Sequence, residues 1–178
     1  MCVRSVSSNI FYEAACCYNM SMARISAGIL MYRKHNELQV FLVHPGGPVW
    51  AKKDLGSWSI PKGEIDPEED PLSAAKREFE EETGFKVSGS FIWLSPVKLK
   101  SGKTVKAWAV EGDCDPEAIR SNTFRIEWPP KSGRYQEFPE VDRAAWLDLA
   151  QAKEKINKGH VPLIEELECI LKIPYDRD

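Results

Sequence analysis

"GEIDPEEDPLSAAKREFEEETGF", residues 63–85, carries nine acidic side chains in twenty-three positions, and three of them, Glu78, Glu81 and Glu82, fall within five residues. Asp70-Pro71 has the form of a helix start, because Asp is a good N-cap and Pro fits the first helical position. Gly84 suits the place just past a helix end. A helix over 71–83 puts Glu78, Glu81 and Glu82 at i, i+3 and i+4, on one face. Leu72, Ala75 and Phe79 form the neighbouring stripe, fit to pack on a sheet, while Lys76 and Glu80 turn to water. Like charges at this spacing cost about 0.2–0.5 kcal/mol per pair. A bound cation would offset that cost; the plain alternative is a solvated acidic face balanced by Lys76 and Arg77.

Around this helix the chain alternates. "RISAGILMYR" (24–33) and "LQVFLVHP" (38–45) are apolar, β-rich runs joined by the polar turn "KHNE", which predicts a hairpin. "GGPVWAKKDLGS" (46–57) is rich in turn residues and reads as a loop. "WSIP" then enters extended, since the residue before Pro61 is pushed away from helix. Strands are expected at 87–99, 103–113 and 144–149, and helices at 150–157 and 162–172. Residues 114–140 read as one long, Pro-rich connection. Mixed strands with helices before and after them predict an α/β fold, layered α/β/α around a mixed central sheet.

The segment matches a spaced pattern throughout: Gly63, five residues, Glu69, seven residues, then Arg77-Glu78-Phe79-Glu80-Glu81-Glu82-Thr83-Gly84-Phe85. This resembles the signature of the Nudix hydrolase family, Gly-x5-Glu-x7-Arg-Glu-U-x-Glu-Glu-x-Gly-U, where U is a bulky apolar residue. Both U positions are aromatic here, Phe79 and Phe85. The resemblance implies a Nudix-type α/β/α sandwich and hydrolysis of a nucleoside diphosphate linked to another group, with a divalent metal, Mg²⁺ or Mn²⁺. Clustered carboxylates with water suit those ions. By position, Glu78, Glu81 and Glu82 become metal ligands, and the carbonyl of Lys62, beside Gly63, completes the metal site. Arg77 orients Glu78, and Glu69 supports the helix start or meets the metal through water. Gly63 fits a loop where backbone approaches the ligand closely.

The proton acceptor stays open. Glu78 is one candidate; in many family members the base lies in a later loop, where Glu137 and Glu140 rank equally. No Ser-His-Asp or Cys-His arrangement argues for a covalent route. For substrate, Trp58, Pro61, Lys62 and Gly63 resemble the Trp-x-x-Pro-Lys-Gly of dinucleoside polyphosphate hydrolases within the family. Lys62 suits a long phosphate chain, and Arg125, Arg134 and Tyr135 could grip phosphates or stack a base. Trp58 is expected in the core, and His44 is expected to be structural. Dinucleoside polyphosphates or nucleoside triphosphates lead; ADP-ribose, nucleotide sugars and diphosphoinositol phosphates follow. A non-catalytic nucleotide-binding Nudix domain or an acidic partner-binding helix are the readings from other classes.

Composition agrees with a globular domain: 43% hydrophobic residues, 29% charged, and a net charge of −3. That balance gives no electrostatic reason for nucleic-acid or membrane binding. The partner expected is a small nucleotide, met by a monomer or homodimer. Five scattered cysteines without a CxxC pair argue against zinc and for a reducing, cytoplasmic setting. Residues 1–22 hold three of those cysteines without periodicity and are expected to be a poorly ordered extension to a domain spanning 23–178.

Overall fold

The helix predicted from Asp70-Pro71 lies flat on a mixed sheet in the computed structural model, which describes residues 25–172. The expected N-terminal extension therefore lies outside the described residues. Strands β1 (Ile25–Lys34) and β2 (Leu38–Pro45) form the predicted hairpin, with Tyr32 opposite Val40 and Lys34 opposite Leu38. A three-residue strand, β3 (Lys62–Glu64), precedes α1 (Pro71–Thr83). Strands β4 (Phe91–Lys98) and β5 (Thr104–Glu111) follow, then the hairpin β6 (Thr123–Glu127) and β7 (Tyr135–Pro139). Strand β8 (Val141–Asp148), α2 (Leu149–Lys155) and α3 (Val161–Lys172) complete the described chain.

The main sheet runs β4-β5-β1-β2-β8, and β3 lies beside the first half of β1. Among the described strands only β1 and β5 pair in parallel, from Ile25 opposite Thr104 to Tyr32 opposite Glu111. Because side chains alternate along a strand, β1 feeds two cores. Ala27, Ile29 and Met31 meet Ala74, Ala75 and Phe79 of α1. Leu30 and Tyr32 join Leu163, Ile164 and Leu167 of α3 on the other face. Phe79 is fully buried, which contributes about 1.5–3 kcal/mol to docking α1.

Both predicted caps form. The Asp70 carboxylate accepts the Ser73 N–H at 2.9 Å. Gly84, at φ 80°, takes the left-handed conformation that glycine tolerates and donates its N–H to Glu80 O. The long connection expected over 114–140 is instead folded in part: β6 and β7 form a separate two-stranded sheet. Alternation explains it, since Phe124, Ile126 and Phe138 share one face with Gln136, while Thr123, Arg125, Glu127 and Glu137 take the other. Phe124 and Phe138 rings lie 6.2 Å apart, and Phe124 packs where a side chain on Gly47 would stand. Trp58 is buried in the core, as expected. Among the described residues no helix is long and apolar enough to cross a membrane.

Candidate active site

The alternation of β3 sorts its residues between the two faces. Opposite Gly28, Lys62 sends its stem to the α3 side: a Cβ on Gly28 would stand 2.6 Å from Lys62 Cβ and 3.0 Å from Ile60 Cδ1. Gly63 therefore faces α1, directly against Glu78. The ladder bonds between β1 and this segment fall at Pro61 and Ile65, with Ile29 N–H donating to Pro61 O at 3.1 Å and Ile65 N–H to Ile25 O at 3.3 Å. In an antiparallel pair every second residue turns its N–H and C=O outward, here Lys62 and Glu64, while Gly63 between them pairs with Ala27. Lys62 accordingly donates its N–H to Glu82 Oε2 at 3.2 Å, with its carbonyl also directed away from β1.

Arg77 organises the helix face. Its Nε and Nη2 donate to both oxygens of Glu69, at 3.0 and 2.9 Å, a bidentate arrangement. Its Nη1 donates to Glu78 Oε1 at 2.8 Å and reaches Glu81 Oε2 at 3.3 Å. Nη2 also donates to the Glu64 carbonyl at 3.1 Å. One guanidinium thus ties the loop before α1 to the helix glutamates. It holds the Glu69 carboxyl below the usual range, while the carboxylates hold the Arg77 proton more tightly still.

Glu78 and Glu82 differ from Glu69. The Glu78 side chain is only 13% exposed, and burial pushes its carboxyl up despite Arg77. Burial pushes Glu82 up to about 7, against the opposing pull of Lys62, and the charges of Glu78 and Glu140 add to the rise. Two desolvated carboxylates beside a third acid form a site short of positive charge. Glu140 is thereby distinguished from Glu137: its field reaches both Glu78 and Glu82. Glu137 is engaged on the outer hairpin, accepting from the Thr123 hydroxyl.

The other expected binders lie on the β6–β7 hairpin. Arg125 lies over the Tyr135 ring, 5.3 Å from its centroid, on the polar face of the β6–β7 hairpin, and Tyr135 is 60% exposed. Arg134 sits at the same hairpin's turn, its N–H donating to Ser132 Oγ. His44 is structural, as expected: it is fully buried, with Nδ1 2.7 Å from Asp142 Oδ1 and Nε2 2.8 Å from Lys53 O. Asn122 was not singled out by sequence. It carries no charge and matches no motif, yet its main chain joins Glu81 to Glu140.

The donor set fits a divalent ion. Glu78 and Glu82 carboxylates and the outward carbonyl of Lys62 are all hard oxygen donors, and the lack of a side chain on Gly63 lets the Glu78 carboxylate lie against the β3 backbone. Among the described residues, no three acidic, histidine or cysteine side chains converge tightly enough to enclose a metal alone. An open set of this kind suits an ion that keeps several waters and shares phosphate oxygens.

The acidic helix face lies on a mixed sheet with Gly63 of β3 beneath it, and the similar proteins identify this arrangement with hydrolases of phosphoanhydride bonds. The NUDIX domain family matches residues 22–167, and the chain belongs to that family, whose hydrolases use a divalent metal. The chain is 32% identical over 152 residues to the rat (Rattus norvegicus) bis(5'-nucleosyl)-tetraphosphatase [asymmetrical], covering 78% of this chain and 95% of that one. Among solved structures, the C. elegans Ap4A hydrolase binary complex superposes with a TM-score of 0.58 at 22% identity, over 82% of this chain and 97% of that one. The NUDIX domain of Shewanella oneidensis NrtR complexed with ADP ribose gives 0.59 at 19% identity, over 84% and 88%. These two likenesses establish the fold.

Proposed function

We propose that this chain is a pyrophosphohydrolase of nucleoside polyphosphates, with dinucleoside polyphosphates first among its substrates and Mg²⁺ or Mn²⁺ as its metal. The carrying observation is the intact set of Arg77, Glu78, Glu81 and Glu82 on one loop–helix unit, in a chain similar over most of its length to a dinucleoside tetraphosphatase. Glu78, Glu81, Glu82 and the Lys62 carbonyl beside Gly63 would hold the metal. When bound, a divalent ion supplies polarisation of phosphate oxygens and a more acidic water. Arg77 fixes the Glu78 rotamer through its bond of 2.8 Å. Glu140 takes the proton from the attacking water, a role favoured over Glu137 by its main-chain tie through Asn122 to Glu81 of α1. Arg125, Arg134 and Tyr135 extend the site at the hairpin toward the far end of the substrate. Lys62 acts on Glu82 through its N–H and its charge.

Turnover of purified protein with and without Mg²⁺ tests this, on diadenosine tetraphosphate, nucleoside triphosphates, ADP-ribose and a nucleotide sugar, with products separated by ion exchange. Metal-dependent cleavage of the dinucleotide into unequal products is expected. Far faster turnover of ADP-ribose would overturn the polyphosphate assignment. Glu140→Gln should lower kcat by about 10²–10⁴-fold, whereas Glu137→Gln should leave it within about threefold.

A further inference from the structure

The last carbonyls of a helix have no intrahelical donor and must be met from elsewhere. At the end of α1 they are met by residues 120–122. Arg120 N–H donates to Thr83 O at 2.9 Å, and Asn122 N–H donates to Glu81 O at 2.9 Å. The same segment holds Glu140. Asn122 O accepts the Glu140 N–H at 2.8 Å, and Glu140 O accepts the Gly46 N–H at 2.8 Å. Ser121 Oγ accepts the Val141 N–H at 3.0 Å and donates to Asn122 O at 2.8 Å. Both main-chain groups of Glu140 are therefore tied, one through Asn122 to the helix bearing the glutamates and the other to the residue that follows β2.

Gly46 completes the clamp by being small. A Cβ there would lie 2.0 Å from the Pro139 carbonyl oxygen. That atom is main chain, next to Glu140, and cannot swing aside as a side-chain terminus can. Any residue other than glycine at 46 must push residues 139 and 140 away from β2.

We infer that Gly46 and Ser121, with the Asn122 main chain, are positioning residues that fix Glu140 against the glutamates of α1. The inference rests on Glu140 as the proton acceptor, and displacement of that carboxylate by a fraction of an ångström is enough to slow proton transfer. The test uses Ser121→Ala and Gly46→Ala in the full chain, each alone and combined with Glu140→Gln, with kcat and KM measured separately. Ser121→Ala should lower kcat about five- to tenfold with KM within about twofold, and Ser121→Thr, which keeps the hydroxyl, should restore it. Gly46→Ala should lower kcat further; if it fails to fold, the Ser121 pair decides. In the Glu140→Gln background both effects on kcat should vanish, because the group they position is gone. An unchanged kcat in Ser121→Ala, or the same fold-loss with and without Glu140, would overturn the inference. Full activity of Glu140→Gln alone would instead overturn Glu140 as the proton acceptor.

Discussion

Gly63 and Glu78 share one space: a Cβ on Gly63 would stand 1.9 Å from Glu78 Oε2 and 2.0 Å from Glu78 Cδ. The glycine is required by a neighbour and not by backbone conformation. The atoms in conflict are the end of a flexible side chain, so Gly63→Ala can be accommodated by moving the Glu78 carboxylate away from Arg77. The fold should survive and the site should not. The expected outcome is a loss in kcat of about 10²-fold or more, with the melting temperature changed by only a few degrees. A variant with wild-type kcat would show that the Glu78 position does not matter to turnover.

Arg77 makes a fork that lysine cannot copy. Its contacts to both oxygens of Glu69, to Glu78 and to the Glu64 carbonyl use three nitrogens in one plane. An ammonium is a single point charge and can keep at most part of that set. Arg77→Lys should therefore lower kcat/KM about 10–100-fold in spite of its conserved charge. Glu69→Gln removes the charge of the bidentate partner while keeping an acceptor, and should cost less. Steady-state kinetics on both variants rank them, and an equal or larger loss in Glu69→Gln would make Glu69 more than a support for Arg77.

The helix and the shared face of its glutamates were legible because each rested on local spacing: Asp70 and Pro71 at one end, Gly84 at the other, and the glutamates at helical intervals between. The hairpin at 123–139 was hidden by its own turn. Trp128-Pro129-Pro130-Lys131-Ser132-Gly133 reads as a linker, and it masks the alternation of Phe124, Ile126 and Phe138 on either side. Lys62 could be placed on the α3 face only once its pairing opposite Gly28 was known, because one step of register reverses every side chain. Glu137 and Glu140 looked equivalent in sequence since the main-chain bonds through Asn122, which separate them, depend on no side chain.

Glu82 makes the metal-free protein sensitive to rising pH. Burial raises its folded-state pKa from 4.5 to about 7, so between those values the folded state holds a proton that the unfolded state has lost. Stability from this group is intact below about pH 4.5 and falls as pH rises to about 7. A divalent ion bound at the same carboxylate requires the deprotonated form, so its stabilising effect should grow across that window. Thermal unfolding in EDTA and in excess Mg²⁺, from pH 5 to 8, measures both trends. Glu82→Gln should flatten the EDTA curve relative to wild type. An identical slope in the variant would assign the pH dependence to other groups.

His160 acts in the opposite direction, on the far side of the sheet from the acidic site. It ends the 3-10 turn Lys158–His160, is 1% exposed, and has no hydrogen-bond partner on either ring nitrogen among the described residues. Burial, aided by the Lys62 charge, pushes its pKa down from 6.5 to about 3. The unfolded chain binds a proton below about pH 6.5 that the folded chain refuses, so stability drains as pH falls from there toward 3. An unpartnered buried polar group costs about 1–3 kcal/mol. Replacing it with an apolar residue of similar size removes that penalty and the titration together. His160→Leu is therefore expected to gain about 1–2 kcal/mol at pH 7 and to gain more at pH 4.5, measured by urea unfolding at both values. Destabilisation at pH 7 would mean that the imidazole nitrogens are satisfied, and that this corner of the core is built around a polar group.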